Sequence, residues 1–163
     1  MAKSDWNAAD FFSRLMAKNK LAKTHGFNFF TVSGLDGFEE ALSNFQNSTA
    51  MLCVSDINDG YTQLNNQPWT RRVKTVFLAM RHPLGDMKAR IECMEIMREL
   101  FRQMMSVLIM QKTQLAENNL YLDERITFNE IDYYFFNGAA CAFFNIGIDI
   151  MTDLRFNADE WDE

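Results

Sequence analysis

The fold of this chain is decided by residues 84–115, which read LGDMKARIECMEIMRELFRQMMSVLIMQKTQL. Apolar residues recur here every seven positions: Met87, Met94, Phe101, Leu108 and Leu115. Further apolar residues lie between these positions and widen the apolar side of the segment: Ile91, Cys93, Met97, Leu100, Met104, Met105 and Val107. This spacing predicts a long helix with one broad apolar side. The apolar sector is wider than one sheet face requires, so we expect the helix to contact two partners, the sheet and either the first helix or another subunit. A coiled coil is the alternative, but Arg98 and Lys112 interrupt the continuous apolar seam that a coiled coil requires.

The segments before this helix alternate between helix and strand. Apolar residues at three- and four-residue steps over residues 5–23 predict a helix, which His25-Gly26 ends. Residues 27–32 are aromatic and β-branched and predict a short strand, and residues 38–46 predict a second helix. Residues 49–57 form a continuous apolar run that is typical of a central strand.

The middle of the chain predicts a strand that enters the core as it proceeds. Residues 56–69 are polar and show no periodic spacing of apolar residues, which indicates a loop or the tip of a long hairpin. Residues 70–81 begin with alternation and end in an apolar run, which predicts a strand. Pro83 follows and fits the first turn of the long helix.

The C-terminal part of the chain predicts two antiparallel strands. Asn118-Asn119 marks a turn, residues 126–136 alternate as a strand, and Asn137-Gly138 is the dipeptide typical of a type I′ hairpin. Residues 139–150 form the return strand, in which Gly147 indicates a bulge or a close backbone approach. Its alternating residues share one face: Phe144, Ile146, Ile148 and Ile150.

This order of elements predicts a single α+β domain over residues 1–156, followed by an acidic C-terminal tail at residues 157–163. We expect a mixed, mainly antiparallel sheet of about four to five strands, with an N-terminal helix and the long helix packed on one face. The chain has 163 residues, two prolines and seven glycines. That composition excludes collagen-like, low-complexity and linker-rich chains.

The charge distribution disfavours a nucleic-acid partner. The net charge is −6, and residues 157–163 carry four acids and no base. Arg71, Arg72 and Lys74 come closest to a basic run, and we interpret them as a solvated strand edge. Within the tail, Trp161 indicates either a frayed terminus or a docking peptide. The sequence shows no signal peptide and no run of ~18 apolar residues, so no membrane partner is expected.

The residue types that carry chemistry are sparse and scattered. Cys53, Cys93 and Cys141 stand among apolar neighbours, as buried thiols do in a reducing compartment. A nucleophile pair could join Cys53 or Cys141 to His25 or His82, but burial in a strand would hide the thiolate.

Carboxylates and phosphate-binding patterns give no stronger indication of catalysis. Glu130 and Asp132 share a strand face and lie near Asp123 and Glu124, an arrangement that is common on a solvated sheet. Residues 56–60 have the glycine at the wrong position for a calcium loop. The sequence therefore predicts no catalytic residue, no cofactor and no metal site.

The order of elements gives the chain a resemblance to a known family. It is carried by three segments: TAMLCVS at residues 49–55, WTRRVKTVFL at residues 69–78, and ACAFFNIGI at residues 140–148. In this order the chain resembles the tail-terminator and tail-completion proteins of tailed bacteriophages. The resemblance in topology covers most of the chain. The matches at specific positions are Trp69 and the alternating apolar residues of the last predicted strand. The long helix exceeds the usual length in that family, and the acidic tail is additional.

The resemblance implies a virion protein that works through protein contacts and is assembled in the cytoplasm of a bacterial host. Such subunits form a ring, commonly a hexamer, that caps the tail tube and joins it to the head connector. We expect the contacts to involve six residues: Tyr61, Leu64, Trp69, Met97, Met104 and Trp161. The alternatives are a cytosolic α+β ligand-binding or regulatory dimer, with the wide helical stripe as its interface and a small pocket between sheet and helix, and an enzyme whose site is assembled from scattered residues.

Overall fold

The computed structural model describes residues 6–44 and 50–162, and within them the chain forms helices and strands around one sheet. The helices are α1 (Ala8–Lys18), α2 (Lys20–Thr24), α3 (Gly34–Asn44) and α4 (Met87–Glu117). The strands are β1 (Phe27–Val32), β2 (Ala50–Ser55), β3 (Asp59–Gln63), β4 (Trp69–Arg81), β5 (Leu120–Leu122), β6 (Phe128–Ile131) and β7 (Ala139–Met151). Two short 3₁₀ turns, Phe135–Asn137 and Ala158–Glu160, complete the elements. Residues 1–5, 45–49 and 163 lie outside the described residues. They include the ends of the predicted helices at 5–23 and 38–46, the start of the predicted strand at 49–57 and the last residue of the predicted tail.

The described strands form one mixed sheet of seven strands. β1 pairs with β2 in parallel, and the other pairs are antiparallel, in the order β1-β2-β4-β7-β5 with β3 on β4 and β6 on β7. The predicted α+β class, the mixed sheet and the long helix are confirmed, but the expected four to five strands are too few. β3 and β5 were not predicted, because β3 buries none of its side chains and β5 has only three residues.

Two long strands form the spine of the sheet. β4 and β7 pair along their whole length, from Trp69 opposite Met151 to Arg81 opposite Ala139. At the Arg81 end, β2 pairs with β4 and β6 pairs with β7. At the Trp69 end, β3 and β5 take these outer places. The spine therefore joins two ends of the molecule with different neighbours.

Helices cover both faces of the spine. On the first face, α1 and α4 cover alternate residues of the central strands, including Leu52, Leu78 and Phe144. The helices contribute Phe12, Met94, Met97, Leu100, Met104 and Leu108 to this core. On the second face, Phe38 of α3 stacks on Phe77 of β4 with ring centroids 4.6 Å apart. Burial of apolar surface on both faces is the main stabilising contribution to this layered arrangement.

The predicted N-terminal helix is two helices in the structure. Asn19 interrupts it, and its Oδ1 accepts a hydrogen bond of 2.8 Å from the backbone N–H of Ala22, which starts α2. The side-chain amide of Asn19 also donates to Oε1 of Gln103 on α4, at 2.8 Å. An asparagine that caps one helix and contacts another favours a break at this point.

The start of the long helix also differs from the prediction. Pro83 precedes α4 rather than lying in its first turn, because Asp86 is the N-cap residue. Asp86 Oδ1 accepts a hydrogen bond of 3.0 Å from the N–H of Ala89. An aspartate N-cap satisfies an N–H that has no partner within the helix, so the helix begins at Met87.

The predicted type I′ turn at Asn137-Gly138 is wrong. Such a turn needs a positive φ at both central residues, and only Gly138 of the two has one, at 71°. β6 ends early at Ile131 because the chain then folds back over the second face. There the buried Tyr134 donates a hydrogen bond of 2.5 Å from its hydroxyl to Glu39 Oε1 on α3.

The close approach predicted at Gly147 is confirmed, and the pairing of β7 with β4 runs through it without a bulge. The backbone N–H of Asp123 donates to the carbonyl of Gly147 at 2.9 Å. A Cβ at position 147 would lie 3.3 Å from the Cβ of Asp123. Glycine thus allows the chain after β5 to lie against β7.

Candidate protein-interaction surface

The structure brings three of the predicted contact residues together on the hairpin of β3 and β4. Tyr61 lies opposite Arg71, and Gln63 lies opposite Trp69. Leu64 follows β3 directly and is 84% exposed, and the side chains of Tyr61 and Trp69 are also exposed. An exposed cluster of two aromatic residues and a leucine is a common composition for a protein-binding surface. We call Tyr61, Leu64 and Trp69 the hairpin cluster.

Side-chain hydrogen bonds hold the hairpin cluster in place. Trp69 donates from Nε1 to Oε1 of Gln63, at 2.7 Å. The hydroxyls of Thr62, Thr70 and Thr152 form a chain with O–O distances of 3.0 and 2.7 Å. This chain links β3 through β4 to the end of β7, so the exposed side chains stand on an ordered base.

A partly buried ion pair lies beneath the same hairpin. Arg71 donates two hydrogen bonds to the carboxylate of Asp149 across β4 and β7, and a third of 3.1 Å from Nη1 to Oδ2 of Asp123. The guanidinium also lies over the ring of Tyr61, 5.8 Å from its centroid. The hydrogen bonds to Asp149 raise the pKa of Arg71 above its ordinary value, so this cation is permanent.

The chain beyond β7 forms an exposed arm, residues 152–162. It leaves the sheet beside the hairpin, where the N–H of Thr152 donates to the carbonyl of Pro68 at 3.1 Å. Leu154, Phe156 and Trp161 are exposed, and the rings of Phe156 and Trp161 stack with centroids 6.4 Å apart. The predicted contact residue Trp161 therefore belongs to the arm, at the same end of the spine from which the hairpin extends.

Acidic groups surround the aromatic pair of the arm. Asp159, Glu160 and Asp162 are exposed. Asp153 binds Arg155 through an Nη2–Oδ2 distance of 2.6 Å, and this partner lowers the pKa of Asp153 to about 2. The arm consequently presents two stacked rings together with exposed carboxylates.

The structure places Met97 and Met104 in the core, away from any partner. Both are fully buried between α4 and the first face of the sheet. The exposed apolar side chains of α4 are Met87, Ile91, Ile109 and Met110. The apolar stripe is so broad that its spacing did not reveal which side of the helix faces the sheet.

Sequence reasoning missed a basic patch on α1 and α2. Residues 11–35 contain four bases and no acid, so the signal was present in the sequence: Arg14, Lys18, Lys20 and Lys23. All four side chains are exposed. We call them the lysine patch. Four half-buried apolar side chains lie in the same part of the chain: Leu15, Leu21, Phe27 and Phe29.

A cleft of about 610 Å³ lies on the second face, between the start of α3, β4 and the turn after β6. Phe77 and Phe143 are among its apolar lining residues, and Asp59, Glu130 and Asp132 also line it. The carboxylate of Glu130 binds Arg98 on α4 with an Nε–Oε1 distance of 2.6 Å. Glu130 and Asp132 thus line the same cleft. The carboxylate of Glu130, however, forms its ion pair with Arg98, which does not line the cleft.

The cysteines are buried, as the sequence predicts. Burial raises the pKa of Cys53 and of Cys141 to about 12, so both remain thiols at neutral pH. A nucleophile must be a thiolate, and neither residue meets this condition. Across residues 6–44 and 50–162, no three His, Cys, Asp or Glu side chains gather into a group that could hold a metal ion. In the same ranges no helix has the length and apolar character that crossing a membrane requires.

No protein-family model matches this chain, and no curated protein matches it.

Proposed function

We propose that this protein is a virion assembly protein of a tailed bacteriophage, a ring-forming tail terminator or head–tail joining subunit. It acts through contacts with copies of itself and with other virion proteins such as the tail tube and the connector. It is assembled in the cytoplasm of the bacterial host and has no catalytic step. The order of elements along the chain, which resembles that family, is the basis of this proposal.

The observation that supports the proposal best is the hairpin cluster beside the exposed arm. Tyr61, Leu64 and Trp69 stand on a hairpin that hydrogen bonds fix to the spine. Phe156 and Trp161 follow on the arm, which starts at the same end of the spine. Aromatic residues held on an ordered base lose little conformational entropy on binding, which is why they dominate many interfaces.

Light scattering and negative-stain electron microscopy test the proposal. We expect discrete rings at micromolar concentrations, and weaker assembly when Tyr61 and Trp69 are both replaced by alanine. Tyr133→Ala is the matched control, because Tyr133 is an exposed aromatic residue outside the hairpin cluster and the arm. A wild-type protein that stays monomeric at every concentration and forms no ring in micrographs contradicts self-assembly.

A cytosolic ligand-binding or regulatory protein is the second candidate, and the cleft on the second face favours it. Its volume lies in the range of small-molecule pockets, and aromatic side chains are part of its lining. A thermal-shift screen against a metabolite panel separates the two candidates. A ligand that raises the melting temperature by several degrees, with the effect abolished by Phe143→Ala, supports this second function.

A further inference from the structure

We propose that the arm of one subunit docks on the lysine patch of a neighbouring copy. The inference rests on the proposed self-assembly and names its joint: the stacked rings of Phe156 and Trp161 cover apolar residues beside Lys20 and Lys23. The occupant of the patch is therefore a second copy of this chain.

The charges of the two surfaces are complementary. The arm carries Asp159, Glu160 and Asp162, while its one base, Arg155, is paired with Asp153. Among the described residues, no carboxylate forms an ion pair with Lys18, Lys20 or Lys23. Contact between these surfaces would bring each charged group close to an opposite charge.

The apolar parts of the two surfaces also correspond. The arm exposes Phe156 and Trp161 between its acids. Leu21 and Phe27 are half-buried, and they lie close in sequence to Lys20 and Lys23. An apolar centre with a charged rim is the usual organisation of a specific protein interface. The arm and the patch each supply one half of it.

The geometry favours contact between copies over contact within one chain. The arm leaves the spine at Met151, opposite Trp69. Lys20 and Lys23 lie on α2, just before Phe27, which pairs with Ala50, and Ala50 pairs with Met80 near the other end of β4. At ~3.3 Å per residue, Trp69 and Met80 are about 36 Å apart along the strand. The arm would have to run back along the length of β4 to reach Lys20 and Lys23 of its own chain, although the start of α1 lies beside Ile150.

A joint of this kind uses two different surfaces of the same subunit. An open assembly of any length then has one free patch at one end and one free arm at the other until it closes. Such a head-to-tail contact generates a ring where the rotation between subunits closes and a filament where it does not. The joint thereby accounts for a closed ring built from identical subunits.

Two defective chains provide the test. The first ends at Thr152 and lacks the arm; the second carries Lys20→Glu and Lys23→Glu. We expect each alone to be monomeric in sedimentation velocity at concentrations where the wild type assembles. Mixed in equal amounts they should form a heterodimer, because the second chain still has an arm and the first still has a patch. Lys88→Glu with Arg125→Glu is the control, since it changes the net charge equally on another exposed surface.

A labelled peptide of residues 152–163 allows the affinity of the arm for the patch to be measured when no ring can form. Fluorescence anisotropy should show that it binds the armless chain, and that Lys20→Glu with Lys23→Glu weakens binding roughly tenfold or more. Replacing Phe156 of the peptide by alanine should weaken it similarly. Phe136→Ala in the armless chain is the matched control, because Phe136 is 78% exposed and Phe156 is 79% exposed.

The outcomes separate this joint from the proposed function. Rings that persist without the arm overturn the joint and leave the assembly function standing. Peptide binding without rings supports the joint and contradicts the ring. An armless chain that purifies with bound nucleic acid, released by Lys20→Glu with Lys23→Glu, overturns the joint in favour of a polyanion. Absence of both peptide binding and heterodimer also overturns it.

Discussion

Arg71 and Asp149 face each other across β4 and β7, with Nε–Oδ1 and Nη2–Oδ2 distances that are both 2.7 Å. The pair lies beneath the ring of Tyr61 and close to the point where β7 continues into the arm. Its two parallel hydrogen bonds fix the register of the spine at the end that carries the hairpin cluster.

We expect Asp149→Ala to destabilise the protein by about 2 kcal/mol, because Arg71 would lose its main partner while remaining partly buried. Asp123 still binds the guanidinium, which limits the loss. Urea denaturation measures the change. Asp153→Ala is the control: it removes the exposed pair with Arg155 and should leave the urea midpoint close to that of the wild type. Equal effects of the two substitutions would contradict the structural role of the pair between Arg71 and Asp149.

Two methionines of α4 should respond differently to truncation. Met104 is fully buried and Met110 is 80% exposed. Met104→Ala should cost roughly 2–5 kcal/mol, since it removes buried apolar surface and leaves a cavity. Met110→Ala should leave the free energy of unfolding within about 0.5 kcal/mol of wild type. Chemical denaturation of both variants decides whether α4 presents the Met104 side to the sheet; a stable Met104→Ala protein would refute that orientation.

The glycine of the β3–β4 hairpin is required by a close backbone contact. A Cβ at Gly60, where φ is 144°, would lie 1.9 Å from the carbonyl oxygen of Arg71. Gly60→Ala should therefore separate β3 from β4 and increase the hydrogen exchange of both strands. Gly85→Ala is matched in having a positive φ, but nothing lies within 4 Å of its Cβ. It should show only the strain of about 1–2 kcal/mol. Unchanged exchange in Gly60→Ala would contradict the described pairing.

The buried thiols predict a loss of stability at high pH. Cys53 and Cys141 have a raised pKa of about 12 in the folded state, against an ordinary value of 9.0. Below pH 9 both states keep the proton; between pH 9 and 12 only the unfolded state releases it, so unfolding becomes more favourable. Each thiol should lower the stability by roughly 1.4 kcal/mol per pH unit in that window.

Urea midpoints at several pH values measure this effect. The double variant Cys53→Ala with Cys141→Ala is the comparison, because lysine and tyrosine titration is common to both proteins. The wild type should lose more stability than the variant as the pH rises above 9. Parallel curves for the two proteins would show that the thiols are not buried in the solution state.

Much of the fold could be predicted from the sequence because its apolar residues follow clear periods. The strand predicted at residues 27–32 is confirmed as β1, and the helix predicted at residues 84–115 is observed as Met87–Glu117. β3 escaped prediction because pairing with β4, rather than burial, makes it a strand. The turn after β6 escaped because burial of Tyr134 outweighs the local preference of Asn137-Gly138.

The candidate surface could be predicted only in part. Tyr61, Leu64 and Trp69 stand out as large apolar residues within or beside a polar segment, which is visible without a structure. The burial of Met97 and Met104 depends on which side of α4 meets the sheet, and the stripe covers too much of the helix to fix that side. The separation between the start of the arm and the segment that carries Lys20 and Lys23 follows from strand register, which no local pattern contains.

The full-length pairing of β4 and β7 has a mechanical consequence for the proposed joint between copies. Because the arm continues directly from β7, tension on the arm pulls along the axis of the longest ladder in the sheet. The cross-strand hydrogen bonds are perpendicular to that axis, so they resist the pull together, in shear, instead of parting one after another. If the arm docks on a neighbouring copy as proposed, tension between the two copies would pass into the centre of the sheet before any outer strand is strained.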